Sequence, residues 1–154
     1  MPNLSRIFLL LLGSGALPLH SQVVPVQANI DAQAQRRLQA DAQESIRRRR
    51  IDENLRRLGT ALDASNLTST NGPAITRQSM AALADLQKDN VIPKDALQQA
   101  LKKSSLDSST TQKTSTYLLE CWGLASERIT PDDLQALRKG EEPKTPLNLP
   151  PYRP

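Results

Sequence analysis

IDAQAQRRLQADAQESIRRRRIDENLRRLGTAL, residues 30–62, decides the fold class. It holds no proline and one glycine, Gly59, among Ala, Gln, Arg, Leu and Glu, the residues that lose least on entering a helix. Apolar residues recur at 30, 34, 38, 42 and 46, then at 51, 55, 58 and 62. The first set steps by four; the second steps by four, three and four, as a heptad-like seam does. A five-residue jump between 46 and 51 shifts the stripe around the helix axis. The stretch predicts one long basic amphipathic helix, with Ile51, Leu55, Leu58 and Leu62 as its candidate interaction seam. That seam either packs back on the rest of the chain or pairs with a second copy or a partner helix. A helix of about thirty residues is about 45 Å long, more than a compact domain of this size covers. A protein partner or homo-oligomer through the long helix is therefore expected.

Charge concentrates in the same helix. Between residues 36 and 57, Arg36, Arg37, Arg47, Arg48, Arg49, Arg50, Arg56 and Arg57 face Asp41, Glu44, Asp52 and Glu53, so this segment carries the whole net charge of +4. Arg47, Arg48, Arg49 and Arg50 step by about 100° each and surround the helix. They are the candidate anion-binding residues, for phosphate, acidic lipid headgroups, a polyanionic polymer or an acidic protein face. The plainer reading is a solvated helix with pairs at i,i+4, Glu44 with Arg48 and Asp52 with Arg56. Nucleic acid is not expected, because the helix offers neither stacking aromatics nor groove-reading groups.

Downstream, residues 63–74 read as a linker, with Asn71-Gly72-Pro73 as a turn signal. Residues 75–140 read as a helical-hairpin core of four short helices. The first, 76–88, carries Met80, Leu83 and Leu86 on one face. The second opens at Pro93, a residue with no N–H to lose there, and turns Leu97, Ala100 and Leu101 inward. Ser104 to Gln112 reads as a polar linker. The third helix, 113–126, places Leu118, Cys121, Trp122 and Ala125 together. In the fourth, Thr130 caps, Asp132 and Asp133 suit the positive helix end, Ile129 and Leu134 form a staple, and Gly140 stops the helix. The tail, residues 141–154, holds five prolines and is expected to be extended, poorly ordered and biased to polyproline II.

The two helix pairs share a pattern. Met80, Leu83, Leu86, Val91-Ile92-Pro93 and Asp95 recur 38 residues later as Leu118, Cys121, Leu124, Ile129-Thr130-Pro131 and Asp133. Each pair reads as an α-hairpin, and two hairpins face to face make a small four-helix core. Leu83-Ala84-Asp85-Leu86, with Asp89-Asn90-Val91-Ile92-Pro93-Lys94-Asp95-Ala96-Leu97, resembles the short helical oligomerisation hairpin called SHOCT. That family carries Gly where Asn90 stands, and an acidic pair before Phe where Ala96-Leu97 stands. The resemblance implies a hairpin with a role in oligomerisation.

The amino terminus reads as an address. Arg6 precedes an apolar run, Ile7 to Leu12, which resumes at Ala16-Leu17-Pro18-Leu19. Residues 1–21 are expected to be a secretory signal peptide, with cleavage after Ala16, Ser21 or as late as Ala28. The rival is a retained anchor, but thirteen apolar-run residues make a helix of about 20 Å, short of a hydrocarbon core of about 30 Å. The mature chain is thus expected to have no transmembrane span and to be exported, periplasmic or secreted.

Export constrains chemistry. His20 is the single histidine, so cleavage after Ser21 leaves none for general-base catalysis, nucleophile activation or imidazole metal sites. Cys121 is the single cysteine, read as a small buried hydrophobe that forms no intramolecular disulfide. No Gly-rich phosphate loop, nucleophile elbow or calcium loop occurs. With 3% aromatic residues in 154, the composition lies near the polar limit of chains that fold. The expectation is an all-α, non-enzymatic interaction protein without cofactor or metal, and the alternative is a binder of polyanions or anionic membrane surfaces.

Overall fold

The computed structural model describes residues 23–63, 67–68 and 70–153. The candidate signal segment, residues 1–21, lies outside them. Among the described residues are five helices and no strand: α1 (Val23–Ala61), α2 (Gly72–Lys88), α3 (Pro93–Leu101), α4 (Ser108–Ala125) and α5 (Pro131–Arg138). The architecture is all-α, a long helix followed by a small helical core. By its internal contacts the chain divides into two units, Met1–Ser45 and Ile46–Pro154. The described part of the first is α1 up to Ser45. The second holds the rest of α1, helices α2 to α5 and the tail.

Three helices start earlier than their sequence implies, each for a local reason. α1 is helical from Val23, not from Ile30. Pro25 falls in its first turn, where an amide has no intrahelical acceptor, so the missing N–H costs nothing. α2 starts at Gly72 with Pro73 in its first turn, so the expected turn signal is a helix start. α4 starts at Ser108, inside the expected polar linker. There the Asp107 carboxylate accepts from the Thr110 amide at 2.9 Å and from the Thr110 hydroxyl at 2.7 Å. That cap outweighs the weak helix propensity of the Ser/Thr run behind it.

The stops follow cap chemistry. α2 ends in a Schellman motif: the Asn90 amide donates to the Gln87 carbonyl and the Val91 amide to the Leu86 carbonyl, both at 3.0 Å. Asn90 takes φ 63°, the left-handed conformation that favours glycine, at the position where the SHOCT hairpin carries one. α5 repeats the motif with Gly140 at φ 75°, and the Arg77 Nε donates to the Gly140 carbonyl at 2.8 Å. Its start is a capping box: Thr130 Oγ1 accepts from the Asp133 amide, and Asp133 Oδ2 accepts from the Thr130 amide, each at 3.2 Å.

The second unit closes around α2, which packs against α3, α4 and α5, while α3 also packs against α4. Ser79, Ala81 and Ala82 beside Met80, Leu83 and Leu86 are buried on α2, and the small residues let neighbouring helices come close. Leu97 and Leu101 of α3, Leu118 and Cys121 of α4, and Leu134 and Leu137 of α5 complete a core of leucine and small residues. Leu118 and Cys121 are buried like their counterparts Met80 and Leu83, but Leu124 is exposed where Leu86 is buried.

The tail is extended, as expected, yet packed rather than poorly ordered. Leu147 is buried in the core, the Thr145 amide donates to Asp133 Oδ1 at 3.2 Å, and the Tyr117 hydroxyl donates to the Pro150 carbonyl at 3.0 Å. Tyr152 meets Tyr117 edge to face, ring centroids 5.5 Å apart, and lies over Gly72 so closely that any side chain there would clash with its ring. A chain poor in aromatics has recruited its tail as a further wall of the core.

Two outcomes follow from these contacts. Replacing Asn90 by Ala should lower unfolding stability by about 1 kcal/mol in urea melts, whereas Asn90→Gly should match or exceed the parent. Burial raises the Tyr117 phenol to about 12 and also raises Tyr152. A phenol raised on folding stabilises the native state below its unfolded value of about 10, and that contribution vanishes as pH climbs through the folded one. Spectroscopic titration should therefore show tyrosinate forming later in the native protein than in the urea-unfolded chain.

Candidate functional site

The seam at 51–62 is spent inside the protein. Leu58 and Leu62 are fully buried, and Ile51 and Leu55 are partly buried against the same cluster. Of the two fates open to it, the structure takes the inward one, so Leu58 and Leu62 are not offered to a partner. The reason is composition: a core with so few aromatics draws on every available leucine, those of α1 beside those of α2 to α5.

Fixing that seam fixes what lies beside it. Residues 47, 50, 54, 57 and 61 also step by three and four, so they form a second stripe about 90° around α1 from the buried one. Arg47 leads it: its Nε and Nη2 donate to the Asp89 carbonyl at 3.2 and 2.7 Å. Arg50 Nη2 pairs with Asp89 Oδ1 at 2.6 Å. Asp89, at the end of α2, is thus buried with both its carbonyl and its carboxylate held by arginine. Arg48 and Arg49 are exposed. The four candidate anion-binding residues divide into two with a structural role and two on the surface.

Lower on the stripe, α1, α2 and α5 enclose a cleft of about 730 Å³. Arg56, Arg57 and Arg138 line it with one acid, Asp85, and Ile75, Ala74 and Ala82 supply an apolar side. Asp85 is gripped by Arg138, whose Nε and Nη2 reach its oxygens at 2.8 to 3.1 Å. Arg57 pairs with Glu53 one turn back. Arg56 does not pair with Asp52 as expected; among the described residues its guanidinium makes no ion pair, and it borders the cleft instead. Asn54 is only 9% exposed, lines the cleft and has no side-chain hydrogen bond among the described residues. Asn54 and Arg56 were not singled out from sequence. For Asn54 the signal available was the three-four spacing of residues beside the apolar seam; Arg56 lies off that stripe and had none.

In the first unit the apolar residues of α1 stay in solvent: Val26 is 59% exposed, Ile30 54% and Leu38 69%. Ile46, which opens the second unit, is exposed as well. No helix among the described residues is long and apolar enough to cross a membrane. Nor do three His, Cys, Asp or Glu side chains among them gather into a group able to hold a metal ion. Asp132 is exposed and Asp133 serves the α5 cap and the tail, where donated hydrogen bonds, Thr130 first, hold its carboxyl well below the usual range. No protein-family model, curated protein or solved structure matches the chain.

Cys121 is buried, and burial pushes its thiol above the ordinary value. Thiolate is the reactive species, so a disulfide-exchange reagent should label the native protein orders of magnitude more slowly than the urea-unfolded chain. Comparable rates would place Cys121 outside the core.

Proposed function

We propose that the protein is exported and acts by protein–protein association or self-association through the amino-terminal part of α1, without catalysing a reaction. The exposure of Val26, Ile30 and Leu38 on a single helix carries this reading. With Ala34 and Ala42 they follow an i,i+4 line, the ridge by which two helices interlock at a crossing angle of about −50°. Each four-residue step overshoots the 3.6-residue turn by about 40°, so a straight partner helix follows two or three of these residues before the line turns away. A short helix–helix crossing suits this pattern better than a long parallel coil.

Export is supported by the basic start and apolar run of residues 1–21. The absence of catalysis is supported by the single His20 within that leader and by the burial of Cys121. The alternative, an anionic surface bound through Arg47–Arg50, has less support, since Arg47 and Arg50 are engaged at Asp89.

A photoactivatable cross-linking residue at position 38 of the full chain, irradiated in cells, should give an adduct whose mass identifies a second copy or a partner. The same residue at exposed position 124 serves as the comparison. Equal, background-level yields at both positions would sink the proposal.

A further inference from the structure

Two concave surfaces flank the polar stripe of α1. The smaller, about 410 Å³, is bordered by Arg50, Asp89, Arg57, Glu53, Asp85 and Arg138, which the structure joins into three ion pairs. Of its charged side chains, Lys88 alone stands outside these pairs. The larger cleft differs in its volume and in its unpaired charge. Its volume of about 730 Å³ falls in the range of small-molecule sites, about 300–1,000 Å³. Of its cations, Arg138 pairs with Asp85 and Arg57 with Glu53, which leaves the Arg56 charge unpaired among the described residues. Two polar groups along it make no hydrogen bond or ion pair among the described residues, the Arg56 guanidinium and the Asn54 amide, and Asn54 borders the smaller surface too.

The Asn54 amide is the more telling of the two. Asn54 is nearly buried and makes no side-chain hydrogen bond among the described residues, yet its polar atoms are not sealed from solvent as Ser79 Oγ is, so the amide is open to a partner. Asn54 sits between Arg50 and Arg57 on one stripe, in a cleft where the unpaired Arg56 charge favours an acceptor. Its NH2 group donates to such an acceptor, and arginine forks match the two oxygens of a carboxylate or phosphate. On the other side Ala74, Ile75 and Ala82 offer a short apolar wall.

We propose that the cleft between α1, α2 and α5 binds a small organic oxyanion, a carboxylate or phosphate ester bearing a short apolar group. The oxyanion lies against Asn54, Arg56 and Arg57, and the apolar group against Ile75. The concavity favours a discrete molecule over a flat lipid surface. This site is independent of the helix-pairing surface near Leu38.

Phenyl phosphate is a suitable probe, measured by calorimetry on the full mature chain at low salt. Binding should be one to one, tighter than for inorganic phosphate, absent for benzyl alcohol, and weaker as salt is raised. Asn54→Leu and Arg56→Gln should each weaken it about tenfold, with Lys113→Gln on α4 as an unaffected control. Arg56 is exposed, so Arg56→Gln leaves the fold intact even if Asn54→Leu does not. Amide chemical-shift changes should map to residues 54–61 and 74–85. Wild-type affinity in Arg56→Gln, phenyl phosphate binding no tighter than phosphate, shifts confined to Arg47–Arg50, or retention on phosphatidylglycerol vesicles alone would overturn the proposal.

Discussion

Burial of Leu58 and Leu62 is the constraint from which the polar geometry of the second unit follows. A helix pinned by one stripe has no rotational freedom left, and each position one hundred degrees on is committed to a neighbour. With the seam inward, Arg47 and Arg50 arrive at the end of α2, and Asn54 and Arg57 at the wall of the cleft. Breaking the seam would cost more than two leucines. It would unseat the arginine grip on Asp89 and dissolve the cleft, because neither has another source of register.

The arginine run gains a division of labour from this geometry. A buried aspartate is costly unless its oxygens are answered, and Asp89 is answered twice, through its carbonyl by Arg47 and its carboxylate by Arg50. Arg50 is still 60% exposed, so its pair contributes chiefly position rather than stability. The consequence is a docked α2–α3 turn, in which Asn90 holds its left-handed conformation between the Schellman hydrogen bonds behind it and Pro93 ahead.

What could be read from the residues divides by range. Helix identity and most inward faces were legible, because 3.6-residue periodicity is local: Met80, Leu83, Leu97, Leu118 and Cys121 are all buried as their spacing implies. Thr130 and Gly140 were legible for the same reason, since a cap is written within four residues. The early starts at Val23 and Ser108 are hidden by composition, because proline and Ser/Thr runs disfavour helix interiors although first-turn positions forgive both. The docked tail was not legible at all. It depends on Tyr152 meeting Tyr117 and Gly72, three residues far apart in sequence with no local signature. The cleft failed for that reason too: its walls come from three helices, and only the α1 wall has a sequence pattern.

The two halves of α1 also differ in the arithmetic of their apolar steps. Spacings of four, three and four average about 3.7 residues, close enough to the helical turn that Ile51, Leu55, Leu58 and Leu62 stay on one side and close a core. Uniform steps of four do not. From residue 26 to 42 the line winds about 160° around the axis, so no flat neighbour can cover all of it. A segment patterned this way is poorly suited to finish its own domain and well suited to a crossing contact of limited length. The same departure from helical periodicity that leaves Val26, Ile30 and Leu38 in solvent therefore also sets the geometry of what would cover them.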